Sequence, residues 1–163
     1  MIHRVMGIWL IMSLLILVGG VFAQDTDDYE WEIVSLEFEY PEDWEIEETE
    51  QGTISVISDH DVIMNFFAPP IILPRPTEPY QALTYIIENA HPSTVFDDPE
   101  PIDILDTIGT RLDYTSDFYG GMLVAFVHQD EVILIDAFVP DRVFNNSDAD
   151  SALDVLETLQ STD

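Results

Sequence analysis

Two adjoining stretches constrain the fold most: residues 122–128 and 131–139, separated only by Gln129-Asp130. Both are long apolar runs in which hydrophobic residues occupy odd and even positions alike. A strand with one wet face alternates apolar and polar residues, whereas a strand covered on both faces cannot afford polar positions on either. The pair therefore reads as the centre of a sheet with other layers packed against each face, and the fold class follows as α+β.

The rest of the chain supplies the flanking pieces. Upstream lie short segments at 33–40, 44–48, 52–58 and 62–67, separated by turn formers at 41–43, 51–52 and 59–61, the pattern of an antiparallel meander. Leu36, Phe38 and Tyr40 alternate with Glu37 and Glu39, which places the three apolar side chains on one buried face. Pro69, Pro70, Pro74, Pro76 and Pro79 then exclude a central strand, because proline has no amide hydrogen to give to a ladder. Thr77 is a suitable cap for a helix over 78–89, with Leu83, Ile86, Ile87 and Ala90 at helical spacing and His91-Pro92 as its stop. Strands are expected again at 102–108 and 111–114. Asn146 or Ser147 caps a closing helix in which Ala149, Leu153, Leu156 and Leu159 form the apolar stripe and Asp148 and Asp150 sit in the first turn.

Composition bounds the setting. His3 and Arg4 precede an uncharged apolar run over 5–23, and Val21 and Ala23 stand at −3 and −1 of a cleavage site before Gln24. Residues 1–23 read as a signal peptide, with an uncleaved anchor as the alternative because the run approaches the roughly 20 residues that span a bilayer. Residues 24–31 read as an acidic spacer, and 32–161 as a single domain. A domain of roughly 140 residues buries about two thirds of its unfolded surface, so packing alone suffices. It must suffice, because the chain has no cysteine for a disulfide or a lipid anchor. The 33 acidic residues against 4 arginines and no lysine give a formal net charge of −29. Nucleic acid and anionic membrane surfaces are excluded as partners, since both demand clustered cations. With 47% hydrophobic residues the acidity is not that of a disordered chain.

The order of these pieces resembles the PsbP-like family of α/β/α sandwiches. Tyr40-Pro41-Glu42-Asp43-Trp44 is similar to that family's Tyr-Pro-x-x-Trp turn after an early strand. A mid-chain helix, the strands after Gly120-Gly121 and a closing Leu159-Gln160-Ser161 continue the likeness over most of residues 33–161. The resemblance implies an antiparallel sheet with helices packed on its faces, and a non-catalytic protein that binds or stabilises other proteins. The family's best-known member is an extrinsic photosystem protein that docks through basic residues. That role does not carry over to a chain without lysine.

Chemistry-bearing constellations are sparse. His60, His91 and His128 occupy a turn, a helix end and a strand end, and no Gly-x-Ser-x-Gly elbow or cysteine accompanies them. Acid pairs suited to glycoside hydrolysis arise by chance among so many carboxylates. Asn146, Asp148, Asp150, Asp154 and Glu157 match the spacing of a calcium loop, but Ser151 replaces the glycine of its sharp turn and the leucine stripe requires a helix there. Asp59, Asp61, Asp97, Asp98 and Glu100 suit only loose contact with hard cations. Most aromatic residues belong to the core. Phe118 and Tyr119, beside a diglycine turn, together with Pro74 and Pro76, form the candidate partner surface. The expectation is an extracytoplasmic, non-enzymatic, cofactor-free protein that binds another exported protein or envelope component. A calcium-dependent acidic binding domain is the alternative and a small secreted hydrolase the third reading.

Overall fold

The computed structural model describes residues 25–50, 52–67 and 76–162. The apolar N-terminal segment with the cleavage site expected after it, and Pro74, lie outside them.

The described chain opens on a strand, β1 (Thr26–Trp31), where a spacer is expected from the run of acids. The acidity misleads because β1 is a sheet edge: its side chains are mostly exposed until Trp31, which is 1% exposed and anchors the strand in the core. A short 3-10 turn over Glu32–Val34 reverses the chain into β2 (Leu36–Pro41), which pairs antiparallel with β1. The turn closes on Ser35 in the left-handed region (φ 52°).

The meander proper starts one element later than expected. β3 (Glu45–Glu48), β4 (Ile54–Ile57) and β5 (Ile63–Phe67) pair in sequence, but β2 does not join β3. The β1–β2 ladder runs to Pro41 and the Glu42 amide still donates to the Asp25 carbonyl at 3.0 Å; the turn closed by the Trp44 amide on the Pro41 carbonyl (2.9 Å) then carries the chain to the other sheet.

After α1 (Pro79–Asn89), the chain adds β6 (Val95–Phe96), β7 (Glu100–Ile104), β8 (Thr107–Thr115), β9 (Tyr119–His128) and β10 (Glu131–Pro140). The eight-stranded sheet runs β3-β4-β5-β10-β9-β8-β6, with β7 also on β8. β9 and β10 are central, as their unbroken apolar character requires. Gln129 and Asp130 link them with φ of 49° and 62°, the two left-handed residues of a tight hairpin whose twist matches its strands. Leu105 and Asp106 do the same between β7 and β8, at φ 49° and 55°. This second hairpin divides what reads from sequence as one strand over 102–108, because leucine gives no turn signal.

The helix α2 (Asn146–Glu157) and a last two-residue strand, β11 (Gln160–Ser161), complete the chain. β11 pairs with β2, so the closing Leu-Gln-Ser element adds the third strand of the small sheet. Thr158 ties α2 to that sheet, accepting a hydrogen bond from the Glu39 amide at 2.8 Å.

Parity along the central strands separates two cores. Met122, Val124 and Phe126 of β9, with Ile133, Ile135 and Ala137 of β10, face the small sheet and α2. Leu123 and Ala125, with Val132 and Leu134, face α1 through Ala82 and Leu83. The first core is aromatic at its centre: Phe38 stacks on Phe66 at 4.6 Å and Trp31 meets Phe66 edge-on at 6.0 Å. The Trp31 indole donates to the Gly52 carbonyl at 3.1 Å, fixing the β3–β4 turn to the small sheet. Helices thus cover both faces of an antiparallel sheet, as expected. Among the described residues no helix is long and apolar enough to cross a membrane.

Candidate functional site

The second core is incomplete where α1 ends. Asp136 lies in the middle of β10, on the face that otherwise carries Val132 and Leu134, and its strand neighbours place it over the sheet rather than at an edge. The position is half-buried and opens into a recess of about 180 Å³ between the end of α1 and the sheet. Tyr114, Tyr119 and Phe96 form its aromatic wall, and Ile86, Ala90 and Leu123 its aliphatic one.

Tyr114 on β8 donates its hydroxyl proton to Asp136 Oδ1 at 2.6 Å. Burial pushes the Asp136 carboxyl from the ordinary 3.8 up to about 6, and the Tyr114 hydrogen bond offsets part of that rise. Burial first, then the neighbouring carboxylate, holds the Tyr114 phenol far above its usual range. Tyr119 meets both Tyr114 (5.8 Å) and Phe138 (6.3 Å) edge-on, which fixes its ring against the recess. Thr94, after the helix, also lines the recess, and its buried hydroxyl oxygen has no hydrogen-bond partner.

Gly120 and Gly121 shape this arrangement, in a way that differs from the flexible turn expected of them. Both are buried inside β9 and paired with β8 and β10. A Cβ on Gly121 would stand 2.4 Å from the Ala137 carbonyl oxygen and 2.7 Å from the Tyr114 hydroxyl. Glycine at 121 is what lets the tyrosine lie across the strand and reach Asp136. Phe118 and Tyr119 consequently part company: Phe118 is 62% exposed on the loop, while Tyr119 packs inward. Pro76 is half-buried before α1.

The calcium-spaced residues are not brought together. Asn146, Asp148, Asp150 and Glu157 lie along α2, whose ends are roughly 16 Å apart at 1.5 Å per residue. The cap is Asn145, one residue earlier than expected: its side chain accepts from the Ser147 amide at 2.8 Å, and Asp148 returns a bond to the Asn145 amide at 2.9 Å. Asp148 is further engaged by a two-pronged contact with Arg142, at 2.6 and 2.8 Å. Arg142 holds the Asp148 carboxyl below the usual range. This reciprocal set lines a polar groove of about 700 Å³ with Ser58, Asp59 and His60, where Arg142 also donates to the His60 carbonyl at 2.9 Å. Among the described residues no group of three or more His, Asp or Glu is placed to hold a metal ion.

The histidines are also dispersed. His60 contacts its neighbour Asp59, and His91 Nδ1 lies 2.8 Å from Ser93 Oγ within one exposed turn. His128 stands at the end of β9, with its Nε2 buried and unpartnered. Thr77 caps nothing with its hydroxyl: Glu78 is the cap residue of α1, and the Thr77 amide donates to Gln81 Oε1 at 3.0 Å.

Neither Asp136 nor Thr94 is singled out by sequence. The one signal is a lone acid within an apolar run, at a position whose neighbours two residues away, Leu134 and Phe138, are both apolar.

No family model and no curated protein matches the chain. Among solved structures, the chain is similar to the solution structure of cyanobacterial PsbP (CyanoP) from Synechocystis sp. PCC 6803. That likeness has 13% identity and a TM-score of 0.55, over 88% of this chain and 96% of that one. A crystal structure from Bacteroides thetaiotaomicron VPI-5482 is similar at 16% identity and a TM-score of 0.43, over 85% of this chain and 48% of that one. The chain has a PsbP-like fold.

Proposed function

We propose that this protein is an exported, non-enzymatic accessory protein that binds another protein outside the cytoplasm. The observation that carries the reading is the PsbP-like fold, which matches over 88% of this chain and 96% of the cyanobacterial one. Fold likeness gives architecture, and function is argued from the site. The site is a small recess with aromatic walls and one acid, suited to gripping a side chain. The described arginines are engaged by neighbouring acids: Arg142 by Asp148 and Arg111 by Asp113. Export rests on the N-terminal segment, with His3 and Arg4 ahead of an apolar run and a cleavable Val21-Phe22-Ala23.

The test is affinity capture of the tagged protein from chemically cross-linked envelope fractions, beside an assay for general esterase and glycosidase turnover. A specific partner in fixed ratio, retained when His60, His91 and His128 are each replaced by alanine, is the expected result. Capture at background level, together with turnover abolished by one of those replacements, overturns the reading.

A further inference from the structure

Among the described residues, the recess beneath the end of α1 is lined by one carboxylate, Asp136, and by no cationic side chain. Asp136 Oδ1 is taken by Tyr114. The described residues supply no other hydrogen bond or ion pair to the carboxylate, whose second oxygen is left to the recess. The buried Thr94 hydroxyl oxygen is unpartnered. Asn89, also in its lining, donates its amide nitrogen to the Tyr85 carbonyl at 2.8 Å. The Asp136 carboxylate therefore borders a space walled by the rings of Phe96, Tyr114 and Tyr119, with no cation of the described residues beside it.

We propose that this recess binds a primary alkylammonium group, and that the group is a lysine side chain of the partner protein. An ammonium carries a positive charge, three donors and no acceptor, the complement of an acceptor-only carboxylate. Aromatic faces attract a cation through their quadrupole, and the aliphatic wall takes the methylenes that lead to it. A cavity of about 180 Å³ accommodates a slim alkyl chain with a compact head. The source follows from composition. This chain has no lysine, so neither its own residues nor a second copy can supply a lysine side chain, and a net charge of −29 opposes self-association while attracting a basic partner. The lysine's origin in a partner rests on the function proposed above, whereas the ammonium chemistry rests on the recess alone.

The test is an NMR titration of the full chain in detergent, at about pH 8 and in high background salt, which suppresses diffuse binding to surface carboxylates. The probes are N-acetyl-lysine methylamide, its uncharged 6-hydroxynorleucine analogue and putrescine. Saturable shifts confined to the amides of Thr94, Tyr114, Tyr119 and Leu123 are expected with the lysine amide, with affinity about tenfold weaker for the alcohol. Asp136→Asn keeps an oxygen for Tyr114 and removes the charge, and lowers the affinity by about tenfold or more. Among the described residues, the titratable groups facing Asp136 are Tyr114 and Tyr119; α1 contributes Ile86, Asn89 and Ala90, and the cross-strand neighbour on β5 is Asn65. Binding of the lysine amide therefore weakens as pH falls through about 6, the Asp136 titration.

An equal response from Asp136→Asn, or shifts spread over the acidic surface, overturns the ammonium site. Putrescine binding without any response to the lysine amide overturns the lysine assignment. Envelope capture that persists unchanged in Asp136→Asn, when the lysine amide does not titrate the recess, sinks this inference and leaves the protein-binding reading standing.

Discussion

Replacing Asp136 with asparagine should stabilise the protein, although it removes an acid from a hydrogen bond in the middle of the sheet. Asparagine keeps the acceptor for the Tyr114 hydroxyl and the shape of the carboxylate, and loses only the buried charge. The folded state raises the Asp136 carboxyl from 3.8 to about 6. A raised carboxyl means that the folded state binds the proton more tightly than the unfolded one. Its favourable contribution is therefore complete below about pH 4 and is lost as pH climbs through about 6. At 1.36 kcal/mol per unit, the wild-type chain at about pH 8 carries a penalty of about 3 kcal/mol that the variant lacks. For a domain of this size that is roughly 10 °C in Tm. Urea or thermal unfolding of both proteins at about pH 8 and about pH 3.5 measures it. The difference between them cancels the titration of the other carboxylates. The variant should be more stable by about 3 kcal/mol at the higher pH and equal at the lower. A variant that is less stable than wild type at about pH 8 would show that the Asp136 carboxylate stabilises the fold, and the argument for a functional acid kept at a cost would fail.

Other consequences are local. Tyr114→Phe deletes the bond that holds the Asp136 titration down, so its midpoint, followed by carboxyl carbon shifts, should move above about 6. Gly121→Ala drives a methyl into the Ala137 carbonyl at 2.4 Å and the Tyr114 hydroxyl at 2.7 Å; unfolding by urea should show a loss of about 1–3 kcal/mol, and lysine amide binding should fall with it. Arg142→Met leaves the 7% exposed Asp148 side chain without its cation, at a cost of about 1–3 kcal/mol seen in thermal unfolding near neutral pH. That loss should shrink in acid, because Arg142 lowers the Asp148 carboxyl and so contributes stability only while the carboxyl is ionised. Phe38→Ala removes the ring stacked on Phe66 at 4.6 Å and should cost about 3–5 kcal/mol by the same measurement.

Much of the fold was legible because burial writes itself into periodicity. The unbroken apolar runs of β9 and β10 announce their central place, and the alternation over Leu36, Phe38 and Tyr40 announces the buried face of β2. Strand partnership was not legible, since an alternating segment carries no mark of which sheet it joins. β2 reads as the first strand of the meander and pairs instead with β1 and β11. The acidic edge strand β1 was hidden for a related reason. An edge needs few buried side chains, and only Trp31 betrays it. At the candidate site, sequence supplied the region around Tyr119 and misread its glycines, because a turn glycine and a glycine cleared for a crossing tyrosine look alike in one chain. Asp136 was passed over among 33 acidic residues, since its meaning depends on Tyr114, Tyr119 and Thr94 meeting it across three separate segments.

The most direct test of the account places a photo-activated cross-linking residue at Asn89, exposed at the rim of the recess, in the producing cells. A control chain carries it at Glu157, exposed on α2 across the sheet. The account predicts an adduct with one extracytoplasmic protein from Asn89 and none from Glu157, with the cross-link mapping beside a lysine of that protein and disappearing in Asp136→Asn. No adduct at Asn89, or one that survives the loss of the Asp136 charge, would contradict it.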